Sequence, residues 1–262
     1  MRILVCIKQV PAGSDVKVDS NTGVLMRSSA DTKLNPYDEY ALETALQIKA
    51  QIGANVTAIT MGAPFSESIL REAYGFGVDE AVLLTDPVFA GADVLATSFA
   101  LFEAIKTLNP FDLIICGRQT TDGDTAQVGP ALAEWLNIPH VSWASKLIKV
   151  SSKKISVEQN MGKLTAEASM PYPCLITVEK DIFRPRLPSY IKLMHNKKAP
   201  IKFIHFSDLS NQDKKQYGLL GSPTQVEKMF SPESGTDTEE LLGTGEEVAL
   251  QIYERFNNLK LL

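Results

Sequence analysis

Over residues 1 to about 145, short apolar runs alternate with amphipathic stretches at helical spacing. That alternation restricts the chain to a mostly parallel sheet covered by helices on both faces, an α/β doubly wound fold. Ile3–Ile7, Val56–Thr60, Ala81–Leu84 and Asp112–Cys116 are the continuous apolar runs expected of buried parallel strands, and Ile138–Trp143 makes a fifth. Helices are predicted between them. The first follows Asn35-Pro36 and carries Tyr37, Ala41, Ala45, Ile48 and Ile52 on one face, with Gly53 as its stop. Ser66 to about Tyr74 and Val94 to about Leu108 supply two more. Asp15–Arg27 is predicted as a hairpin turning at Ser20-Asn21-Thr22-Gly23. In such sheets a ligand lies at the carboxyl ends of the strands, near a switch in strand order. The loops after Ile7, Thr60, Leu84 and Cys116 share that edge.

The most polar of these loops is Gly117–Pro130, GRQTTDGDTAQVGP. It leads into a helical run with Val128, Ala131, Leu132, Trp135 and Leu136 on one side. Gly117 and Gly123 allow close backbone approach. A helix start offers unpaired amides to a phosphate, and Arg118 would add a full charge. Gln119, Thr120, Thr121 and Asp122 suit ribose hydroxyls or an adenine edge. Asp124 followed by Gln127 has the spacing of a capping box, while Pro130 points to a kink or a later helix start. The same residues also suit an ordinary strand-to-helix loop, and the loop matches neither GxxxxGK[ST] nor GxGxxG. A second loop, Phe89-Ala90-Gly91-Ala92-Asp93, leads into a helix with Asp93 as its N-cap, and it stands as either a second phosphate site or a plain connection.

After Trp143 the helical pattern stops. Lys146–Val150, Lys154–Gln159, Leu164–Ser169 and Cys174–Glu179 are predicted strands, a small β addition to the sheet. Phe183–Tyr190 is proline-rich and extended. Residues 205–245 are polar and have the composition of an arm, and Gly245–Asn257 is a last helix striped by Val248, Ile252 and Phe256. The expected division is a nucleotide-binding α/β domain with added β strands over 1–183, and an extended loop and arm with a terminal helix over 184–262.

The net charge of −5 argues against nucleic acid as the main partner. No apolar stretch approaches a membrane span, and MRILVCIKQVP has too short an apolar run for a signal peptide, so a cytoplasmic protein without membrane insertion is expected. Cys6, Cys116 and Cys174 sit in apolar runs, as buried thiols do, and His140, His195 and His205 form no ligand spacing with them, so no metal is assigned.

Four segments together resemble the beta subunit of electron-transfer flavoproteins: VCIKQVP, NPYDEYALE, GRQTTDGDTAQVGP and RPRLPSYIKLM. The resemblance covers nearly the whole chain. It implies an adenine-nucleotide-binding α/β domain, Rossmann-like, with a C-terminal arm around an alpha subunit in a heterodimer. It places the nucleotide against Cys6, Asn35, Pro36, Tyr37, Asp38, Met61 and the loop Gln119, Thr120, Thr121, Asp122, Gly123, Asp124, Thr125, Ala126, Gln127, Val128, Gly129 and Pro130, with Gly117 and Arg118 entering it. Within the family, one branch holds AMP there and the electron-bifurcating branch holds FAD. Phe89, Gly91, Ala92 and Asp93 with Thr97 resemble the second branch, as does the small Gly123. The resemblance then implies NADH as hydride donor and ferredoxin or flavodoxin as one electron acceptor. The other electron passes through an alpha-subunit FAD to a flavin-dependent dehydrogenase. Redox chemistry belongs to the flavin, so no catalytic side chain is assigned. Leu187 matches the family's partner-anchoring leucine, flanked by Arg186, Pro188 and Tyr190. A structural AMP carrier and a stand-alone nucleotide-binding module remain the alternatives.

Overall fold

The computed structural model describes residues 1–13, 32–225 and 239–261. The predicted hairpin over Asp15–Arg27 lies outside the described residues. Two units divide the chain, Met1–Val226 and Glu227–Leu262.

The first unit is built on β1 (Arg2–Cys6), β4 (Asn55–Met61), β5 (Glu80–Leu84) and β6 (Leu113–Gly117), connected by α1 (Pro36–Ile52), α2 (Glu67–Phe76) and α3 (Val94–Lys106). A short antiparallel pair, β2 (Gln9–Pro11) and β3 (Thr32–Leu34), precedes α1. After β6 come α4 (Val128–Leu136), β7 (His140–Val150), β8 (Lys154–Asn160), β9 (Thr165–Pro171), β10 (Cys174–Val178), α5 (Tyr190–His195) and β11 (Ile201–Ile204). One nine-stranded sheet results, ordered β11-β5-β4-β1-β6-β10-β7-β8-β9. It is parallel from β11 to β7, and the pairs β7–β8 and β8–β9 are antiparallel.

Successive strands leave β1 in opposite directions, β4 on one side and β6 on the other, which puts the switch point between β1 and β6. Helices cover both faces. α1 and α2 pack on Ile3, Val5, Val56, Leu113 and Ile115, and α3 and α4 on Leu4, Ile59, Ile114 and Leu175. The expected α/β doubly wound class is therefore what the chain adopts.

Three expectations change. The runs predicted as two strands, Ile138–Trp143 and Lys146–Val150, form the single strand β7. β10 is no peripheral addition: it inserts in parallel between β6 and β7, and all five of its residues are buried. An apolar run shows that a strand is buried on both faces, but not which neighbours it takes. Last, residues 201–225 are not an arm. β11 pairs with β5, and Leu209 and Tyr217 lie in the core against Phe89 and Phe99. The polar residues between them satisfy the local turns. Asn211 O, for example, accepts from the buried Tyr217 hydroxyl at 2.9 Å.

In the second unit, α6 (Gly245–Asn258) starts on a capping box. The Thr244 amide donates to Glu247 Oε2 at 2.7 Å, and the Glu247 amide donates to Thr244 Oγ1 at 3.4 Å. None of its residues is buried, the stripe Val248, Ile252 and Phe256 included.

Candidate functional site

All six strand pairs from β11 to β7 are parallel, so the loops after β1, β4, β5 and β6 emerge on one edge. At the switch point the loops after β1 and β6 are tied together through the start of α1. The Asn35 amide donates to Lys8 O at 2.9 Å, which seats the start of α1 against the exit of β1. Asn35 stands at the N-cap position but its side chain does not cap the helix. It is buried and reaches instead into the loop after β6, where Nδ2 donates to Gln119 O at 2.8 Å and Oδ1 accepts from the Thr121 amide at 3.3 Å. Asn35 thus positions the polar loop and leaves the start of α1 without a side-chain cap.

Asp38, one turn into α1, is buried beneath the same junction. Its Oδ2 accepts from the Lys8 amide at 2.7 Å. Burial raises its pKa from 3.8 to about 7, against the opposing pull of that hydrogen bond, of Asn35, of the Lys8 charge and of the Gly117 amide. Gly117 is required here: a Cβ on it would stand 2.7 Å from the Tyr37 carbonyl group and hard against Asp38 Oδ1. Pro36 and Tyr37 are half-buried beside it, as are Cys6 and Met61 at the ends of β1 and β4.

The loop itself closes around Thr120. Asp124 N donates to Thr120 O at 3.0 Å and Gly123 N to Thr120 Oγ1 at 3.3 Å. Asp124 and Ala126 take positive φ, 52° and 55°. Both aspartates already accept hydrogen bonds within the site. Lys8 Nζ donates to both Asp122 oxygens at 2.8 Å, and Asp124 accepts from Gln119 Nε2. For Asp122, burial works to raise the pKa but Lys8 outweighs it, so the carboxyl is held below its ordinary value.

The predicted Asp124–Gln127 capping box does not form. Gln127 itself is the N-cap residue of α4, and no side chain caps that helix. Pro130 causes no kink, because it is the third residue of α4, where its missing amide has no partner within the helix to lose. α4 therefore opens onto the edge with the Val128 and Gly129 amides in its first turn, the arrangement that binds anions. Gly129 lets α4 pack close over the sheet, since a Cβ there would lie 2.6 Å from Thr177 and 3.6 Å from Cys116. Thr121, Gly123 and Thr125 face solvent at this opening, and a Cβ on Gly123 would meet only the Thr120 hydroxyl at 3.3 Å.

Arg118 sits differently from the role its charge suggested. Its Nη1 donates to both Glu179 oxygens at 3.0 Å, and its guanidinium lies 4.4 Å from the centre of the Trp143 ring. Glu179 also accepts from Asn160. The charge of Arg118 is thus matched on the β7–β10 side, and the opening of α4 relies on amides and hydroxyls.

The second loop is equally well ordered. Asp93 caps α3 through Oδ1, which accepts from Ala96 N at 3.1 Å, as expected. Its Oδ2 accepts from Thr224 N at 3.0 Å, and its own amide donates to Ser222 Oγ at 2.8 Å. Leu219 N donates to Ala90 O, so residues 217–224 are fastened along Phe89–Asp93. Thr97 N joins the same turn by donating to Asp93 O, Phe89 is buried beneath it, and Gly91 takes a φ of 73°. Ala92 is half-buried. No local signal marked Ser222 or Gly218 as parts of this loop.

Residues 186–193 lie elsewhere, against α1 and α2. Arg186 binds the buried Glu43 through its amide at 3.1 Å, Nε at 2.7 Å and Nη2 at 2.8 Å. Burial works to raise the pKa of Glu43, but these bonds outweigh it and hold the carboxyl below its usual range. Ser189 N donates to Gly75 O, and Pro188 and Leu193 close over Gly75, whose Cβ would stand 2.6 Å from Leu193. Between these anchors Leu187 is 89% exposed and Tyr190 74%. Glu43 escaped sequence reasoning because it sits mid-helix with no local mark of its partner, and Gly75, one residue from the end of α2, carries no mark of the segment that closes over it.

Among the described residues, no group of three His, Cys, Asp or Glu is placed to hold a metal, and no helix is long and apolar enough to cross a membrane.

The sheet and its loop edge define a Rossmann-like doubly wound α/β protein. Comparison with known proteins narrows this. Residues 22–209 match the family described as electron transfer flavoprotein domain. The chain is 41% identical over 260 residues to the electron transfer flavoprotein subunit beta of Thermoanaerobacterium thermosaccharolyticum, covering 98% of each chain. It is 41% identical to the caffeyl-CoA reductase-Etf complex subunit CarD of Acetobacterium woodii, covering 93% of each. It is also 40% identical to protein FixA of Sinorhizobium fredii, covering 88% of this chain and 84% of that one. The chain belongs to the electron transfer flavoprotein beta-subunit family, whose work is electron transfer.

Proposed function

We propose that this chain is the FAD-binding, electron-bifurcating kind of electron transfer flavoprotein beta subunit, working as a heterodimer with an alpha subunit. The observation that carries the reading is the uncapped start of α4 at the switch point, with the bare Gly123 and the exposed Thr121 and Thr125 around it. This donor set fits a dinucleotide. Backbone amides meet pyrophosphate oxygens, hydroxyls meet ribose, and the neighbouring carboxylates of Asp122 and Asp124 are already engaged by Lys8 and Gln119. The half-buried Cys6, Pro36, Tyr37 and Met61 line the adenine end, and Asn35 holds the loop against them.

FAD bound here would supply hydride acceptance from NADH and single-electron release. The residues of the chain bind and orient it, and none serves as a catalytic acid or base. The acceptors in this reading would be ferredoxin or flavodoxin for one electron and, by way of the alpha subunit and its FAD, a flavin-dependent dehydrogenase for the other. Leu187 and Tyr190, displayed beside the Arg186 and Ser189 anchors, are the contact offered to that dehydrogenase.

The test is to purify the chain with its alpha subunit, denature the complex and count the cofactors released. About two FAD per heterodimer without AMP is the expected result, followed by NADH-driven ferredoxin reduction. One FAD with one AMP would overturn the reading and leave a simple electron shuttle.

A further inference from the structure

Cys6 and Cys116 are register partners on the adjacent parallel strands β1 and β6. Both turn toward the α3–α4 face, where Cys116 belongs to the core cluster and Cys6 packs against it. Neighbouring strands run about 4.8 Å apart, which lies within the Cα separation a disulfide spans, about 4.4–6.8 Å. The neighbouring Cys6 thiol first, and burial second, push the Cys116 thiol up. Access differs between them, since Cys6 is half-buried at the candidate site while Cys116 is 7% exposed. Cys174 is the natural control. It lies on the opposite face, fully buried, with burial pushing its thiol up to about 12.

We propose that Cys6 and Cys116 form a reversible dithiol–disulfide couple at the switch point, closed by hydrogen peroxide. The accessible Cys6 thiolate attacks one peroxide oxygen. The S–O bond forms, the O–O bond breaks, and the departing hydroxide takes a proton to leave as water. The Cys116 sulfur then attacks the Cys6 sulfur of the sulfenic acid. The S–S bond forms, the S–O bond breaks, and the second hydroxide takes the Cys116 thiol proton, again as water. Two thiols lose two electrons and one peroxide gains them. Register partners in a parallel sheet hold their Cβ atoms near the strand spacing, wider than the usual disulfide separation of about 3.5–4.5 Å, so the bond is strained and readily reduced. Closure ties the ends of β1 and β6 together, where Lys8 and Gly117 lead into the site.

The test treats the full chain, purified with its alpha subunit, with equimolar hydrogen peroxide, then alkylates, digests and maps the thiols. The expected result is a Cys6–Cys116 linked peptide that dithiothreitol reverses, with Cys174 recovered as a thiol. Dimedone should label Cys6 at least tenfold more in Cys116→Ser than in the unaltered chain, because no second thiol resolves the sulfenic acid. Absence of the linked peptide, with Cys6 either unmodified or labelled equally in both proteins, would overturn the proposal. The linked peptide is read on the unaltered chain, so a misfolded variant leaves the test decisive.

Discussion

Replacing Asp38 by asparagine tests how the switch point is held together. Its carboxyl is carried from 3.8 in the unfolded chain to about 7 in the fold, with burial as the main cause. The folded state therefore binds more protons than the unfolded state between those values, and stability from this group falls as pH rises through the window. Below pH 3.8 the group contributes no penalty. Above about pH 7 the penalty is complete and amounts to about 4 kcal/mol, at about 1.4 kcal/mol for each unit of pH. Between pH 5 and pH 8 the loss is about 3 kcal/mol. Asp38→Asn cannot ionise and lacks that slope. Its absolute stability also shifts, because an asparagine accepts from the Lys8 amide through one oxygen but turns an NH2 toward Gly117, at a cost of about 1–3 kcal/mol. The slope is thus the diagnostic quantity. Urea unfolding followed through Trp135 and Trp143 fluorescence, at pH 5 and pH 8 and fixed ionic strength, measures it. The unaltered chain should lose about 3 kcal/mol more than the variant over that interval. Parallel pH dependence in the two proteins would refute the assignment of a buried, largely protonated Asp38.

Gly117→Ala places a Cβ against Asp38 and the Tyr37 carbonyl group, and should lower stability by about 1–3 kcal/mol, read as a fall in Tm with weakened nucleotide binding. Glu43→Ala removes the carboxylate that holds Arg186. Limited proteolysis should then cut within residues 184–195 several-fold faster, while the far-ultraviolet spectrum of the sheet and helices stays unchanged. Gly218→Ala forces a side chain onto a φ of +53° and into the Val88 carbonyl. It should release residues 217–224 from Phe89–Asp93, seen as faster amide exchange at Leu219 and Thr224 with the β1 amides unaffected. Arg118→Gln leaves Glu179 buried without its cation. It should cost stability and leave phosphate affinity within twofold, since the charge faces Glu179 and not the opening of α4.

Much of this protein is legible along the chain. The alternation over residues 1–145 determines strands and helices because hydrophobic periodicity acts within a single element, and parallel connections of that length place the loops on one edge. Asp93 as the cap of α3 and Pro36 at the start of α1 are likewise local facts, each readable from residues within one turn. What remained hidden is partner choice at long range. Asn35 meets Gln119 across 84 residues, Arg118 meets Glu179 across 61 and Arg186 meets Glu43 across 143. An amide, a guanidinium or a carboxylate has the same local signature whether it faces solvent, a ligand or a distant side chain. The insertion of β10 beside β6, the pairing of β11 with β5 and the burial of Tyr217 in a polar segment belong to the same class. Each is decided by which apolar surfaces are left uncovered once the sheet has assembled. That surplus exists only in the tertiary structure, so no window of sequence carries it.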